Sequence, residues 1–323
     1  MGCGIAQMVN DGMRYAFVFP GQGSQSQGMM NGFEDLPVVR ETFREASDTL
    51  HQDLWRLVTE GSAGDLNLTI NTQPLMLTAG IAIWRAWIQC SDSRPSLLAG
   101  HSLGEYAALV ASNAIAFEEA LPLVRHRAQC MQEAVPEGTG GIAAILGLDD
   151  ETVKRVCLEA SRNEVLEAVN FNSPGQVVIA GGRDAVLRGI EAAKEAGAKR
   201  AIMLPMSVPS HCSLMKPAAM ALRDYLKDVI IGKPEIPVLH NVDVLPHEDP
   251  EEIRKALVDQ LHHPVRWVET IRSICREGIG QVAECGPGKV LAGLNKRIEP
   301  QQLVWALTDR AALEDASAKL TGG

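Results

Sequence analysis

The sequence predicts an α/β protein: a large subdomain built on a parallel sheet, with a small β-α-β-β-α-β subdomain inserted into it. Three observations predict this. Apolar strand-like runs alternate with helical segments through the first third of the chain, the pattern of a parallel sheet with crossover helices. A Gly-His-Ser-Leu-Gly turn at 100–104 stands between an apolar run and an Ala- and Leu-rich segment. Between residues 139 and 207 the elements read strand, helix, strand, strand, helix, strand. The expected large subdomain covers 14–138 and 208–323, the small one 139–207, and residues 1–13 read as a leader or tag-like segment. A chain of 323 residues has room for both units.

Arg14-Tyr15-Ala16-Phe17-Val18-Phe19 is the first expected strand, ending at the glycine-rich loop Pro20-Gly21-Gln22-Gly23-Ser24-Gln25. No Gly-Lys-Ser/Thr follows and Gly28 falls too late for G-x-G-x-x-G, so the loop is not a nucleotide-phosphate loop. Its place after a parallel strand is still where such sheets bind ligands. Residues 37–50 form an amphipathic helix with Val38, Val39, Phe43 and Leu50 on one side. Gly61–Asp65 reads as a turn, Asn71-Thr72-Gln73-Pro74 as a helix start, and the helix as running from Leu75 to about Trp87. Leu97-Leu98-Ala99 suits a buried strand, and from Glu105 helix formers take over. Strand, G-x-S-x-G turn and helix together make a nucleophile elbow, which suggests an α/β-hydrolase-like large subdomain.

Residues 117–134 read as a helix carrying Arg125, His126 and Arg127 in a row. Successive helix residues point about 100° apart, so the three cannot face solvent equally and one is expected to point inward. The small subdomain follows: strands Ile142–Leu148, Val165–Phe171, Gln176–Ala180 and Arg200–Ser207, with helices Glu151–Ser161 and Asp184–Ala196. That order is ferredoxin-like. The turn Asn172-Ser173-Pro174-Gly175 joins its middle strands. The chain then returns through a helix over 213–227, a strand Ile236–Leu239, helices Pro250–Leu261 and Val265–Glu277, a strand Gly280–Glu284, the turn Gly286-Pro287-Gly288, and a last helix from Val290 to about Arg297.

A formal net charge of −10 argues against a general nucleic-acid binder, which needs a basic face, but allows an acidic protein partner at a local basic patch. The seven cysteines, Cys3 among them, form no CxxC pair, so neither a zinc site nor a disulfide framework is indicated. A reducing compartment, the cytoplasm, is expected. The apolar stretch 96–117 is interrupted by His101, Glu105 and Asn113, so no membrane span is expected. Residues 1–13 hold no Lys or Arg, unlike a signal peptide, and Met1-Gly2-Cys3 lacks the Ser or Thr at position 6 of a myristoylation signal; Met13 reads as a natural start.

The elbow would present Ser102 on a tight bend, with the Leu103 N–H at a helix N-terminus free to meet an oxyanion. A serine hydroxyl needs a base. His51 and His247 lie in polar surroundings and read as surface residues, and His101 should point away from its neighbour by strand alternation. His211 stands at an apolar junction after Pro209, with His262 and His263 next in order. No acid completes a triad, but a backbone carbonyl can hold the imidazole N–H equally well.

Several motifs taken in order resemble bacterial malonyl-CoA:acyl carrier protein transacylases. They are Phe19-Pro20-Gly21-Gln22-Gly23-Ser24-Gln25, the elbow Gly100 to Tyr106, Arg127 ahead of Met131-Gln132-Glu133-Ala134-Val135-Pro136, Asn170 to Gly175, Pro209-Ser210-His211 and Gly286 to Leu291. The similarity runs from about Arg14 to the end. It implies Ser102 as nucleophile, His211 as general base and acid, the Gln22 and Leu103 N–H groups as oxyanion hole, Arg127 as partner of the malonyl carboxylate, and the Gln260 carbonyl as orienter of His211. It implies malonyl-CoA as substrate and an acidic acyl carrier protein as partner, with no metal or cofactor and a monomeric chain. Lys199-Arg200 and Lys296-Arg297 are the candidate docking cations. Val208-Pro209-Ser210 is similar to the fatty-acid type, and Asn170 and Asn172 either line the cleft or cap turns. Two rivals stand beside it: a serine thioesterase or esterase sharing the elbow, with a base near the C-terminus and no use for Arg127, and an inactive carrier-binding module.

Overall fold

The computed structural model describes residues 14–206 and 208–320. The expected leader, Cys3, Met13 and the strand end at Ser207 lie outside the described residues. Five short parallel strands make the larger sheet: β1 (Ala16–Phe19), β2 (Leu97–Gly100), β7 (Val238–Leu239), β8 (Gln281–Glu284) and β9 (Leu303–Ala306), in the order β7-β2-β1-β8-β9. Side chains alternate across β1 and β2. Phe17, Phe19 and Leu98 join a core with Trp84, Trp87 and Tyr106, while Ala16, Val18, Leu97 and Ala99 join another with Trp267, Ile271 and Leu291. Both faces are covered, which is why these strands read as unbroken apolar runs.

Helices α1 (Pro37–Leu50), α2 (Leu54–Glu60), α3 (Ala63–Asn67) and α4 (Thr69–Cys90) lie between β1 and β2. The stretch read as a turn at Gly61–Asp65 is helical at α3: Ser62 and Asp65 cap it reciprocally, while Asp53 caps α2. Helix α4 begins at Thr69, ahead of the expected start, and carries Pro74 inside it. The elbow leads into α5 (Gly104–Ala111), followed by α6 (Phe117–Glu133).

The small unit has strands β3 (Gly140–Leu146), β4 (Leu166–Ser173), β5 (Gln176–Gly182) and β6 (Arg200–Met203), all paired antiparallel in the order β4-β5-β3-β6. Helices α7 (Asp150–Ser161) and α8 (Arg183–Glu195) connect them. One face of this sheet packs under the helices. The other, through Ile142, Val169, Val178 and Ala180, meets Cys212 of the large unit. Two backbone bonds stitch the units together, Phe171 N–H to the Val265 carbonyl (3.0 Å) and Val265 N–H to the Val169 carbonyl (2.9 Å).

Beyond the junction come α9 (Lys216–Leu226), α10 (Pro250–Gln260), α11 (Trp267–Arg276) and α12 (Val290–Ile298). The expectation that α12 ends the fold is corrected by β9 and α13 (Arg310–Leu320), which extend the sheet and pack against α4. β9 is a half-exposed edge strand, so its sequence lacks the buried-strand signature. No helix is long and apolar enough to cross a membrane among the described residues.

Candidate active site

The β2–α5 turn permits only glycine at two positions. A Cβ on Gly100 would lie 1.9 Å from the Gly104 carbonyl carbon, and one on Gly104 would lie 2.0 Å from the Phe19 oxygen. Between them Ser102 adopts φ of 52°, a left-handed conformation that costs a non-glycine residue about 1–3 kcal/mol and persists only when neighbours hold it. The neighbour is Asn241, just after β7. Its Oδ1 accepts from the Ser102 N–H at 2.7 Å and its Nδ2 donates to the Gly100 carbonyl at 2.7 Å, clasping the bend from both sides.

Ser102 Oγ lies 2.7 Å from His211 Nε2, and His211 Nδ1 lies 2.7 Å from the Gln260 carbonyl at the end of α10. Because a carbonyl only accepts, Nδ1 carries the hydrogen and Nε2 presents its lone pair to the serine hydroxyl. His211 is itself left-handed (φ 66°) and is fixed by its N–H to the Leu261 carbonyl. Burial, reinforced by the nearby Arg127 charge, pushes its pKa down to about 3. The ring is therefore a neutral base at neutral pH.

Of the three successive polar residues on α6, Arg127 points inward and is 1% exposed. Arg125 instead bonds the Leu50 carbonyl and Gln52, and His126 stacks on Tyr225. Arg127 donates to Gln73 Oε1 (2.9 Å), Gln260 Oε1 (2.8 Å) and Ser102 Oγ (3.2 Å), over the Tyr106 ring. Burial lowers its pKa, and its Nε has no partner. Among the described residues it forms no ion pair: every acceptor it has is neutral. The carboxylate with a charge felt here, Glu105, is separated from it by the Gln260 amide, and a buried cation with no acid in direct contact is costly, which marks a place prepared for an anion.

Gly21 presses the Pro20–Gln25 loop against the elbow, since a Cβ there would fall 2.4 Å from the His101 carbonyl oxygen and 3.6 Å from the Leu103 nitrogen. Neither the Gln22 nor the Leu103 backbone N–H donates to a protein acceptor among the described residues. Next to the elbow, Gln22, His101, Asn170, Asn172, Leu204 and Met206 line a cleft of about 360 Å³ between the two units. His101 turns from Ser102 into this cleft, its Nε2 2.8 Å from Asn172 Oδ1 and its ring 5.4 Å from that of Trp267.

The other candidates fall elsewhere. His51 is exposed, but His247, expected on the surface, is half-buried between Asp243 and Glu252 because the loop after β7 folds back over α10. The rings of His262 and His263 lie tilted against each other beside Asp259, where three donor atoms lie within 4.8 Å of one another, and neither bonds Ser102. Lys199 and Arg200 are exposed where β6 begins, and Lys296 and Arg297 are exposed in the last turn of α12. Sequence reasoning passed over Asn241, Gln73 and the buried Glu105–His240 pair. Their only signals were polar residues inside apolar surroundings.

Comparison with known proteins decides the family. Residues 16–297 match the acyl transferase domain family. The chain is 52% identical over 304 residues to the malonyl CoA-acyl carrier protein transacylase of Salmonella typhimurium, covering 94% of this chain and 98% of that one. This chain belongs to the malonyl CoA-acyl carrier protein transacylase family. It is an acyltransferase. The solved acyl-carrier-protein S-malonyltransferase of Burkholderia pseudomallei superposes on it with a TM-score of 0.93 at 59% identity, over 94% of this chain and 99% of that one. A malonyl-transacylase solved in complex with a type II PKS acyl-carrier protein superposes with a TM-score of 0.94 at 52% identity, over 95% and 99% of the two chains.

Proposed function

We propose that the chain moves a malonyl group from malonyl-CoA to the phosphopantetheine thiol of an acyl carrier protein through a malonyl ester on Ser102. His211 Nε2 takes the hydroxyl proton as Oγ bonds to the thioester carbon. The oxyanion forms between the Gln22 and Leu103 N–H groups, the carbon–sulfur bond breaks, and the proton passes to the departing CoA sulfur. In the second half the carrier thiol gives its proton to His211 and attacks the ester, returning Ser102 to its hydroxyl. Two half-reactions through one covalent intermediate give ping-pong kinetics.

The observation that carries this reading is the buried Arg127 guanidinium, 3.2 Å from the nucleophile and with no acid bonded to it among the described residues. A planar fork of donors fits the free carboxylate at the far end of a malonyl group, whereas a neutral ester would leave it unanswered. The finer architecture belongs to the same reading: an α/β-hydrolase-like unit over 14–138 and 208–323, and a ferredoxin-like insertion over 139–207. The support is the parallel β7-β2-β1-β8-β9 sheet and the β4-β5-β3-β6 order. A cytoplasmic monomer serving fatty-acid synthesis, met by its carrier at Lys199-Arg200 or Lys296-Arg297, completes the picture.

Intact-mass measurement after mixing with malonyl-CoA tests it. A malonyl adduct is expected on the wild type and none on Ser102→Ala. Arg127→Ala should lose at least about 30-fold in adduct formation from malonyl-CoA, the low end for stranding a buried charge partner. No adduct on the wild type, or full malonyl transfer by Arg127→Ala, overturns the reading.

A further inference from the structure

Glu105, the first-turn residue of α5, is wholly buried, and no step above uses it. Its oxygens are nonetheless fully engaged. Oε1 accepts from His240 Nδ1 at 2.8 Å, and Oε2 accepts from the Asn241 N–H at 2.9 Å and from Gln260 Nε2 at 2.9 Å. We propose that Glu105 is a positioning residue that sets the orientation of the Gln260 amide, and through it the aim of Arg127. The proposal rests on the roles just assigned to Ser102, His211 and Arg127.

The argument is one of donors and acceptors. A primary amide can sit two ways round, with its oxygen and nitrogen exchanged. Gln260 Nε2 faces two acceptors, Glu105 Oε2 and the Ser102 carbonyl (3.0 Å), neither of which can donate as a carboxylate and a peptide oxygen. That leaves Gln260 Oε1 to accept from Arg127 Nη2. Turned over, the amide would set oxygen against oxygen twice and NH2 against guanidinium once. Glu105, together with the Ser102 carbonyl, therefore selects the one orientation in which Gln260 offers Arg127 an acceptor. The main chain of the same Gln260 holds His211 Nδ1, and Asn241, which Glu105 also anchors, clasps the elbow. One carboxylate thus lies behind the nucleophile, the base and the anion clamp, touching none of the reacting atoms itself.

A residue that merely held β7 to α5 would slow all acyl donors alike when removed. A residue that aims Arg127 shows itself in the preference for an acyl group bearing a carboxylate. The experiment compares the rates of malonyl and acetyl adduct formation on Ser102, from malonyl-CoA and acetyl-CoA, with thermal unfolding followed in parallel. Glu105→Ala is expected to cut the malonyl-to-acetyl rate ratio about tenfold, corresponding to one buried charge-assisted hydrogen bond mis-set. Glu105→Asp, which keeps the charge but withdraws it by one carbon, should lower the ratio too and serves if the alanine variant fails to fold. Glu105→Gln retains an acceptor for Gln260 and should restore the ratio to within about threefold of wild type. A ratio unchanged in Glu105→Asp and Glu105→Ala, whatever the loss in rate, overturns the proposal. If Arg127→Ala also leaves the ratio unchanged, the clamp reading itself falls. If Arg127→Ala collapses it while the Glu105 variants do not, only the positioning role falls.

Discussion

The parallel and antiparallel units contribute to the cleft in opposite ways. The parallel unit supplies Ser102, His211, Arg127 and Gln260, every one tied by at least two hydrogen bonds and almost all without solvent contact. The antiparallel unit supplies wall: Asn170 and Asn172 from β4, and Leu204 and Met206 after β6. Among the described residues its polar hold on the elbow is the His101–Asn172 contact. Chemistry that depends on sub-ångström placement is carried by a doubly covered sheet, where burial locks geometry. A long flexible thioester arm needs only a surface to lie along, and a second unit joined through an apolar face, two backbone bonds and the bonds from Ser213 to Glu167 is enough.

That contrast can be broken from either side. The largest effect is expected inside the parallel unit, at Asn241→Ala. It leaves the Ser102 N–H and the Gly100 carbonyl without their shared clasp, so the bend relaxes; adduct formation should fall about 10- to 100-fold, and stability by about 1–3 kcal/mol. Unchanged kinetics would show that the elbow holds itself. A smaller effect is expected on the other wall. Asn172→Ala removes one partner of a neutral hydrogen bond, so KM for malonyl-CoA should rise about two- to tenfold with kcat nearly constant. A fall in kcat would instead make the small unit part of the chemistry.

The smallest change is expected with pH. With its pKa near 3, His211 stays neutral as pH falls from 7 to about 5, so Ser102 acylation should hold its rate across that range. An acid limb near 6.5, the ordinary histidine value, would contradict the burial argument. The stability consequence has a definite sign. Between about 3 and 6.5 the unfolded chain binds a proton at this histidine that the folded chain does not. Stability therefore rises with pH through that window and is lost as pH falls through it.

What the sequence revealed follows the same division. Ser102, Leu103 and the glycines around them sit within five residues, so local sterics write the motif directly. The element order of the small unit was equally legible, because its strands and helices are short, regular and cleanly punctuated by Asn172–Gly175 and Gly197. Arg127 was readable only as one of three neighbours, since helix period says that one turns inward but not which. The roles of Asn241 and Glu105 were not legible, because the groups they bond lie 139 and 155 residues away and no local pattern records a contact closed by the fold. Helix α2 was lost for its brevity, and β9 because a half-exposed edge strand has no apolar run to announce it.

Six non-glycine residues among those described have left-handed φ, and two of them are Ser102 and His211. Each would rest more easily as glycine, and glycine would delete the hydroxyl or the imidazole. Selection for thermal robustness and selection for turnover thus pull against each other at these two backbone positions. Efforts to toughen this protein should find their gains in the helices and surface turns, and should leave these two bends tense.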